Sequence, residues 1–251
     1  MVISYDYVFF WYGKEISMKF IHVSDLHIGK RVNEFSMLED QRYILRQILM
    51  IAGQEQADAV LVAGDIYDKP IPPAEAVQLF DEFLTRLAEM DIPVFAVSGN
   101  HDSAERVAFG ARLMSRQNVY LSPVYDGNVT GIPMTDEYGE VMVYLLPFVK
   151  PALIRHVFED EEPADYQEAV RIAVEHMEID PQKRNVLVAH QFVTGAFRCE
   201  SEEVLVGGLD NVDVSVFDPF DYVALGHIHT PQHVGRETVR YSGTPLKKSF
   251  Y

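Results

Sequence analysis

Five short apolar runs in this sequence are each followed at once by a residue of a type that binds metal ions. The runs are rich in Val, Ile, Leu, Phe and Ala and alternate with helical patterns, an order typical of an α/β protein. They predict buried strands over Phe20–Val23, Ala59–Ala63, Val94–Val97, Val186–Ala189 and Tyr222–Leu225. Polar groups at the end of a buried strand are costly unless they have partners.

The polar residues after these runs are carboxylates, imidazoles and one amide. They are Asp25 and His27 after the first run, Asp65 after the second, Asn100, His101 and Asp102 after the third, His190 after the fourth, and His227 and His229 after the fifth. In sheets with helices on their faces, functional groups gather at the carboxyl ends of strands. We therefore expect these side chains to converge on one crevice.

Two spacings and three glycines fit this interpretation. Alternate residues of an extended segment point the same way, so Asp25-x-His27 and His227-x-His229 each predict two side chains on one side. Three glycines would let the backbone turn sharply just before a ligand. They are Gly64, Gly99 and Gly226. Taken singly, each spacing is more typical of a solvated or hydrogen-bonded loop histidine, and each glycine is typical of an ordinary turn.

The donor set points to two metal ions. The predicted ligands are Asp25, His27, Asp65, Asn100, His190, His227 and His229. Carboxylate oxygens, imidazole nitrogens and an amide oxygen, without a thiolate, suit divalent manganese, iron or zinc. Seven ligands are too many for one tetrahedral ion. Two ions bridged by one aspartate are the economical interpretation.

Helical patterns lie between the strands. Ser36 and Glu39 have the spacing of a capping box and predict a helix that ends at Gly53. A second predicted helix follows Pro72 and Pro73 and carries an apolar stripe toward the core. The stripe is Val77, Phe80, Leu84 and Leu87. Further along, 119–148 predicts a strand meander with turns at Asp126-Gly127 and Tyr138-Gly139, followed by a helix over Tyr166–Met177.

Composition sets the class of protein. The chain has 251 residues, of which 48% are hydrophobic and 24% charged, enough for one domain with a sizeable core. No apolar run approaches the roughly 20 residues of a membrane span, so we expect no membrane partner. The net charge of −17 argues against a broad basic surface for nucleic acid. Cys199 is the one cysteine, which excludes an internal disulfide and fits a reducing, cytoplasmic location.

The first 17 residues differ from the rest. They are rich in aromatics, lack a basic leading region and contain Asp6, so they are not a signal peptide. Met18 opens the first convincing strand. We expect residues 1–17 to be an upstream translation extension or a peripheral addition, and residues 18–251 to be the catalytic domain.

The motifs D-x-H, G-D-x-x-D, G-N-H-D, a lone histidine after a strand, and G-H-x-H occur in that order between residues 25 and 229. This combination resembles the calcineurin-like metallophosphoesterase superfamily, and within it the family of bacterial SbcD nuclease subunits. The segments that resemble this family are "FIHVSDLHIGKRV", "GDIYDKPIPP", "SGNHDS", "VAHQFV", "ALGHIH" and "YSGTPLKKSF". The resemblance implies a four-layer α-β-β-α sandwich of two mixed sheets flanked by helices.

The resemblance also implies residue roles. One metal ion would be bound by Asp25, His27, Asp65 and His229, and the other by Asp65, Asn100, His190 and His227. Mn²⁺ is the expected metal, with Mg²⁺, Fe²⁺ and Zn²⁺ as alternatives. His101 would be the catalytic histidine, paired with and oriented by Asp102. Apart from the resemblance, Lys30 and Arg31 follow the first metal-binding motif closely, which suits contacts with substrate phosphates or, equally, a solvated surface pair. Asp68 is a candidate for supporting a ligand.

The function implied by the resemblance is that of a manganese-dependent DNA nuclease component in DNA repair and recombination. Such a protein is a 3′ to 5′ exonuclease on duplex ends and an endonuclease on single strands, pairs with an SbcC-like ATPase and forms a homodimer. Its C-terminal capping region would be absent here, because the sequence stops at Tyr251.

Two alternatives stay open. One is a phosphatase or small-molecule phosphodiesterase of the same superfamily, because fold does not fix substrate. The other is a noncatalytic scaffold, against which the full ligand set argues. The remaining histidines belong to no pattern, and we expect structural roles for them. They are His22, His156, His176 and His233.

Overall fold

The computed structural model describes residues 3–5, 8–11, 18–197 and 211–246, so Cys199 and Tyr251 lie outside the described residues. The strands are β1 (Ile3–Tyr5), β2 (Val8–Trp11), β3 (Phe20–Val23), β4 (Arg31–Val32), β5 (Phe35–Ser36), β6 (Ala59–Ala63), β7 (Val94–Val97), β8 (Val119–Leu121), β9 (Ile132–Asp136), β10 (Gly139–Leu146), β11 (Arg184–His190), β12 (Phe192–Val193), β13 (Asn211–Val212), β14 (Tyr222–Gly226), β15 (Gln232–Val234) and β16 (Arg236–Tyr241). The helices are α1 (Leu38–Gln54), α2 (Ala74–Glu89), α3 (Ala104–Val107), α4 (Ala111–Met114), α5 (Pro151–Val157) and α6 (Tyr166–Glu175), with 3₁₀ turns at Ser115–Gln117 and Val214–Phe217.

Two six-stranded sheets form the centre of the molecule. Their strand orders are β1-β2-β3-β6-β7-β8 and β15-β16-β14-β11-β10-β9. Strands β3, β6, β7 and β8 pair in parallel, as do β10, β11, β14 and β16, while the outer pairs β1–β2, β2–β3, β9–β10 and β15–β16 are antiparallel. Both sheets are therefore mixed. Strands β1 and β2, which precede Met18, lengthen the first sheet beyond β3.

The sheets stack face to face with helices outside them. Phe20, Leu61 and Phe95 of the first sheet and Val188 and Tyr222 of the second form one buried cluster between the sheets. Two further clusters fill the outer faces, where α1 and α2 cover the first sheet and α5 and α6 cover the second. The predicted four-layer α-β-β-α sandwich is confirmed. None of the helices in the described part of the chain combines the length and apolar composition needed to span a bilayer.

Two predictions about the helices need correction. Ser36 belongs to β5, and α1 begins after Met37 without a side-chain cap, so the Ser36–Glu39 capping box does not form. In α2 the predicted stripe is confirmed at Phe80, Leu84 and Leu87, which are buried, and is wrong at Val77, which is 45% exposed.

The meander predicted over 119–148 divides between the two sheets. β8 is the edge strand of the first sheet, whereas β9 and β10 form a hairpin at the edge of the second. The predicted turn at Tyr138-Gly139 is confirmed as the connection of that hairpin. Alternation of apolar residues indicates strands but not their partners, which explains the error.

The sheets are linked by a buried hydrogen-bonded histidine. His22 of β3 places Nδ1 3.1 Å from the Tyr222 hydroxyl and Nε2 3.1 Å from the Leu225 carbonyl oxygen, both in β14. Because a carbonyl can only accept, Nε2 carries the proton and Nδ1 accepts from Tyr222. Burial lowers the pKa of His22 to about 3, although the Leu225 carbonyl acts in the opposite direction.

The sheets also touch at a glycine. Gly226 ends β14, and a Cβ there would overlap the Ala63 carbonyl oxygen of β6 and lie 2.7 Å from His190 Nδ1. Gly226 is therefore required by close approach rather than by a turn, and Gly99 likewise leaves room for the Asp65 carboxylate. The predicted sharp turn is confirmed only at Gly64, whose φ is +82°.

We expect His22 to make stability depend on pH. The folded imidazole stays neutral down to its pKa of about 3, whereas in the unfolded chain it protonates near 6.5. The unfolded state therefore binds more protons between these values, and stability falls as the pH drops below about 6.5. Protonation of His22 in the unfolded chain lowers the free energy of unfolding by about 2 kcal/mol at pH 5. Urea denaturation in EDTA measures the free energy of unfolding of wild type and of His22→Gln at pH 7.5 and pH 5. Between these two pH values the variant should lose about 2 kcal/mol less than wild type. Equal losses would contradict this assignment.

We expect Gly226→Ala to destabilise the fold by about 3 kcal/mol, because the added methyl meets backbone that cannot move aside. Gly53→Ala is the matched control. Gly53 lies exposed in α1, and a Cβ there meets only the flexible end of Met90 at 3.1 Å, so this change should be neutral or stabilise by up to about 1 kcal/mol. Chemical denaturation of both variants measures the difference. Equal stabilities would mean that the sheets tolerate a wider separation.

Candidate metal centre

The structure brings the seven predicted ligands together where strands of both sheets end. Asp25 and His27 follow β3, Asp65 follows β6, Asn100 follows β7, His190 ends β11, and His227 and His229 follow β14. Among them Asp25, His27, Asp65 and His190 are buried. The convergence needs both sheets, because each contributes only part of the set.

One half of the centre, which we name site A, consists of Asp25, His27, Asp65 and His229. His229 Nε2 lies 3.7 Å from Asp25 Oδ1, and His27 Nε2 lies 3.9 Å from the same oxygen. His27 Nε2 is also 3.5 Å from Asp65 Oδ2. Donor atoms separated by these distances can surround a single cation.

The other half, site B, consists of Asp65, Asn100, His190 and His227. Asn100 Oδ1 lies 2.9 Å from His190 Nε2 and 3.0 Å from His227 Nδ1. His190 Nε2 lies 3.5 Å from Asp65 Oδ2. The donor types are two imidazoles, one carboxylate and one amide, a set that fits a borderline divalent ion.

Asp65 belongs to both sites. Its Oδ2 is 3.5 Å from His27 Nε2 in site A and 3.5 Å from His190 Nε2 in site B. Its Oδ1 accepts a hydrogen bond of 2.9 Å from the His101 backbone N–H. That bond fixes the carboxylate, so that Oδ2 faces both halves.

The electrostatics of the pocket favour a cation. His190 Nδ1 lies 2.8 Å from the Ala63 carbonyl oxygen and must donate to it, which leaves Nε2 facing the oxygens of Asp65 and Asn100. Burial disfavours the charged imidazolium, yet the Asp65 carboxylate outweighs it and raises the pKa of His190 to about 9. Although burial acts in the opposite direction, the neighbouring histidines hold the pKa of Asp65 well below its usual range. The pocket thus favours a proton on His190, and a metal ion could supply the same positive charge. The donor residues present suit such an ion.

The loops that carry the ligands are not extended. Asp25, His27, Asp65 and His227 have φ values of 54°, 43°, 49° and 100°. The expectation that D-x-H and H-x-H place two side chains on one side of an extended segment is therefore wrong. The loops after β3, β6 and β14 instead turn tightly through left-handed backbone, which is uncommon for residues with a side chain and concentrates at functional sites.

His101 lies at the rim of the centre. Its Nε2 is 3.9 Å from Asp65 Oδ2, its side chain is 24% exposed, and its ring stands edge-on to His27 with centroids 4.8 Å apart. Its Nδ1 is 3.2 Å from the Asp68 carbonyl oxygen, so Nδ1 donates and Nε2 faces the centre.

Asp102 does not pair with His101, contrary to the sequence-based expectation. Its carboxylate accepts hydrogen bonds from three backbone N–H groups at 2.9–3.0 Å. The donors are Ile66, Tyr67 and Gly99. Asp102 therefore ties the loop after β6 to the loop after β7, and the Asp68 carbonyl is what orients His101.

Lys30 and Arg31 make contacts within the chain. Lys30 Nζ lies 3.3 Å from Asp68 Oδ1, and that oxygen is 3.7 Å from His27 Nδ1. Asp68 thus faces a site A ligand, as expected of a supporting residue. Arg31 donates to the Glu34 carbonyl oxygen. Neither contact tests the expectation that Lys30 and Arg31 bind substrate phosphates.

Sequence reasoning missed several side chains that hold the first ligand loop. Thr244 Oγ1 donates to the Asp25 carbonyl at 3.0 Å, and Ser242 donates to Ser24, whose hydroxyl in turn donates to the Asp25 carboxylate. Gln41 of α1 hydrogen-bonds the backbone around His27. A signal for Gln41 was present, because it lies on the stripe of Leu45, Ile48 and Ala52 as its only polar member.

Comparison with known proteins finds relatives along most of the chain. The D component of the nuclease SbcCD from Staphylococcus saprophyticus is 37% identical over 237 residues, which cover 93% of this chain and 62% of that protein. The protein of the same name from Staphylococcus epidermidis is 35% identical with the same coverage. The chain thus spans 62% of the length of these curated relatives. A solved structure of a dimetal phosphatase from Danio rerio aligns with a TM-score of 0.48 at 12% identity, covering 89% of this chain and 86% of that one.

Residues 18–231 match the family model of the calcineurin-like phosphoesterases. This range contains all seven candidate ligands together with His101. The chain therefore belongs to the calcineurin-like phosphoesterase family.

Proposed function

We propose that this chain is the catalytic core of a metal-dependent DNA nuclease that hydrolyses phosphodiester bonds. The observation that carries the proposal is the pair of sites that share Asp65 Oδ2, with His101 Nε2 3.9 Å from the same oxygen. The names of relatives that are 35–37% identical support a nuclease, and DNA is proposed as the substrate from the resemblance to SbcD-like proteins.

Two divalent cations, preferably Mn²⁺, would be held by Asp25, His27, Asp65 and His229 in site A and by Asp65, Asn100, His190 and His227 in site B. Mg²⁺, Fe²⁺ and Zn²⁺ suit the same donors. When bound, such a pair lowers the pKa of a coordinated water and offsets the negative charge of a phosphate. The chain's own contribution is to fix these donors and to keep the shared carboxylate oriented through the His101 backbone.

His101 is the proposed general acid. The Asp68 carbonyl holds its Nδ1, so Nε2 is directed at the centre, and the side chain is accessible to a ligand at the rim. A proton held at Nε2 can pass to the leaving oxygen of the ester or hydrogen-bond the phosphate. Asp102 would act on this step only indirectly, by holding the loop that precedes Asp68.

The names of the relatives support a nuclease that works with an SbcC-like partner, and the finer activity and setting are proposed from the resemblance to SbcD-like proteins. We propose 3′ to 5′ exonuclease action on duplex ends and endonuclease action on single strands in DNA repair and recombination, in the cytoplasm, with an SbcC-like ATPase as partner. We also propose a homodimer. A groove lined by Pro72, Val77 and Phe109 supports it, because Phe109 is 83% exposed there.

A phosphatase or small-molecule phosphodiesterase is the second candidate. The net charge of −17 favours it, because an acidic chain repels a long polyanion but admits a small phosphate ester to a cationic pocket.

For the DNA nuclease, Lys30 and Arg31 remain the proposed contacts for the backbone phosphates.

We expect His101→Ala to lower DNA hydrolysis by about 100-fold or more while the protein still binds two Mn²⁺ ions, because the side chain assists proton transfer and is not a ligand. The assay uses labelled duplex and single-stranded DNA with Mn²⁺, beside metal analysis. His233→Ala is the control, because His233 is exposed on β15 and should leave the activity unchanged.

Two outcomes would contradict this account. If His101→Ala loses metal, His101 is a ligand. If wild type hydrolyses p-nitrophenyl phosphate but cuts neither DNA, the second candidate holds.

A further inference from the structure

We infer that Gln41 is the residue that positions the site A ligand His27, an inference that rests on the proposed function because it concerns a bound cation. Gln41 lies in the first turn of α1 and is 4% exposed. Its Nε2 donates to the carbonyl oxygens of His27 at 2.7 Å and Leu26 at 3.3 Å. Its Oε1 accepts from the Gly29 N–H at 3.0 Å.

These three bonds need a side chain that both donates and accepts, as the Gln41 amide does. The side chain has two N–H donors and one carbonyl acceptor, and all of them go to the backbone of one loop. A carboxylate cannot donate and an ammonium cannot accept, so Glu or Lys at position 41 would keep only part of the set.

The ligand loop needs support on this side. His27 and Gly29 have φ values of 43° and 91°, a left-handed path that is costly at His27. On the opposite side the backbone N–H groups of His27 and Ile28 donate to the Asp65 and Ile66 carbonyls at 2.9 and 2.8 Å. Gln41 completes the arrangement by binding the His27 carbonyl. The backbone of this ligand is thus held through both of its polar groups.

A purely structural role for Gln41 would have a different signature. Gln41 shares a buried stripe with Leu45, Ile48 and Ala52, where an apolar side chain would extend the core of α1. If Gln41 only stabilises the fold, removing it should act on stability as any core change does. If it positions His27, removing it should weaken one metal ion selectively.

The test measures Mn²⁺ binding by calorimetry on the full chain, and the free energy of unfolding in EDTA. Gln41→Met keeps the length of the side chain and removes all three hydrogen bonds. We expect one of two ions to bind roughly 10- to 100-fold more weakly, as when support of a metal ligand is lost, and the other to bind as in wild type. Ile48→Ala is the control, because it removes buried volume two turns along the same stripe and should destabilise the fold but leave both affinities unchanged.

Two ligand variants assign the effect to site A. In a His227→Asn background, which impairs site B, Gln41→Met should weaken the remaining ion. In an Asp25→Asn background, which impairs site A, it should change nothing. Should Gln41→Met fail to fold, Gln41→Asn provides the same test, because it keeps the amide but is one methylene too short to reach the loop.

The inference is overturned if Gln41→Met binds both ions as wild type does, or if it weakens both equally. It is also overturned if Ile48→Ala weakens one ion to the same extent. A wild-type chain that binds no Mn²⁺ would instead refute the proposed function itself, and the two failures are thereby distinguished.

Discussion

The position of the Asp65 carboxylate is the constraint on which the centre depends. One oxygen is fixed by the His101 backbone, and the other lies 3.5 Å from a histidine of each site. His27 follows a strand of the first sheet and His190 ends a strand of the second, so a single oxygen connects the two halves of the sandwich. This meeting requires the sheets to touch, which the missing side chain of Gly226 permits.

Burying Asp25 and Asp65 in one pocket is unfavourable unless positive charge accompanies them. The raised pKa of His190 allows that imidazole to supply part of this positive charge, and bound divalent cations would supply more of it. Left-handed ligand residues add a cost of roughly 1–3 kcal/mol each. They persist because Gln41, Asp102 and the backbone bonds between the loops hold them from several directions. The acidity of the whole chain therefore says little about the charge of this pocket.

The sequence predicted the strands well because buried parallel strands are continuous apolar runs, and Ala59–Ala63 and Val94–Val97 match their predicted bounds. The candidate ligands that follow these strands lie close together, as expected for the carboxyl ends of neighbouring parallel strands. The backbone conformation of the loops could not be predicted, because aspartate and histidine residues do not by themselves indicate the left-handed backbone found at Asp25 and His27. The pairing of Asp102 with His101 failed for a related reason: neighbours in sequence need not be partners, and three backbone amides satisfy that carboxylate better. Gln41 was hidden within a helical stripe, where only its polarity distinguishes it.

The most direct test of the shared carboxylate is the number of Mn²⁺ ions bound by wild type, Asp65→Asn and Asp25→Asn, measured by equilibrium dialysis at fixed pH. Wild type should bind two ions. Asp25→Asn should weaken one of them, and Asp65→Asn should weaken both, because Asp65 Oδ2 lies 3.5 Å from a histidine of each site. A wild-type chain with one ion, or an Asp65→Asn variant that keeps one ion at wild-type affinity, would contradict the account.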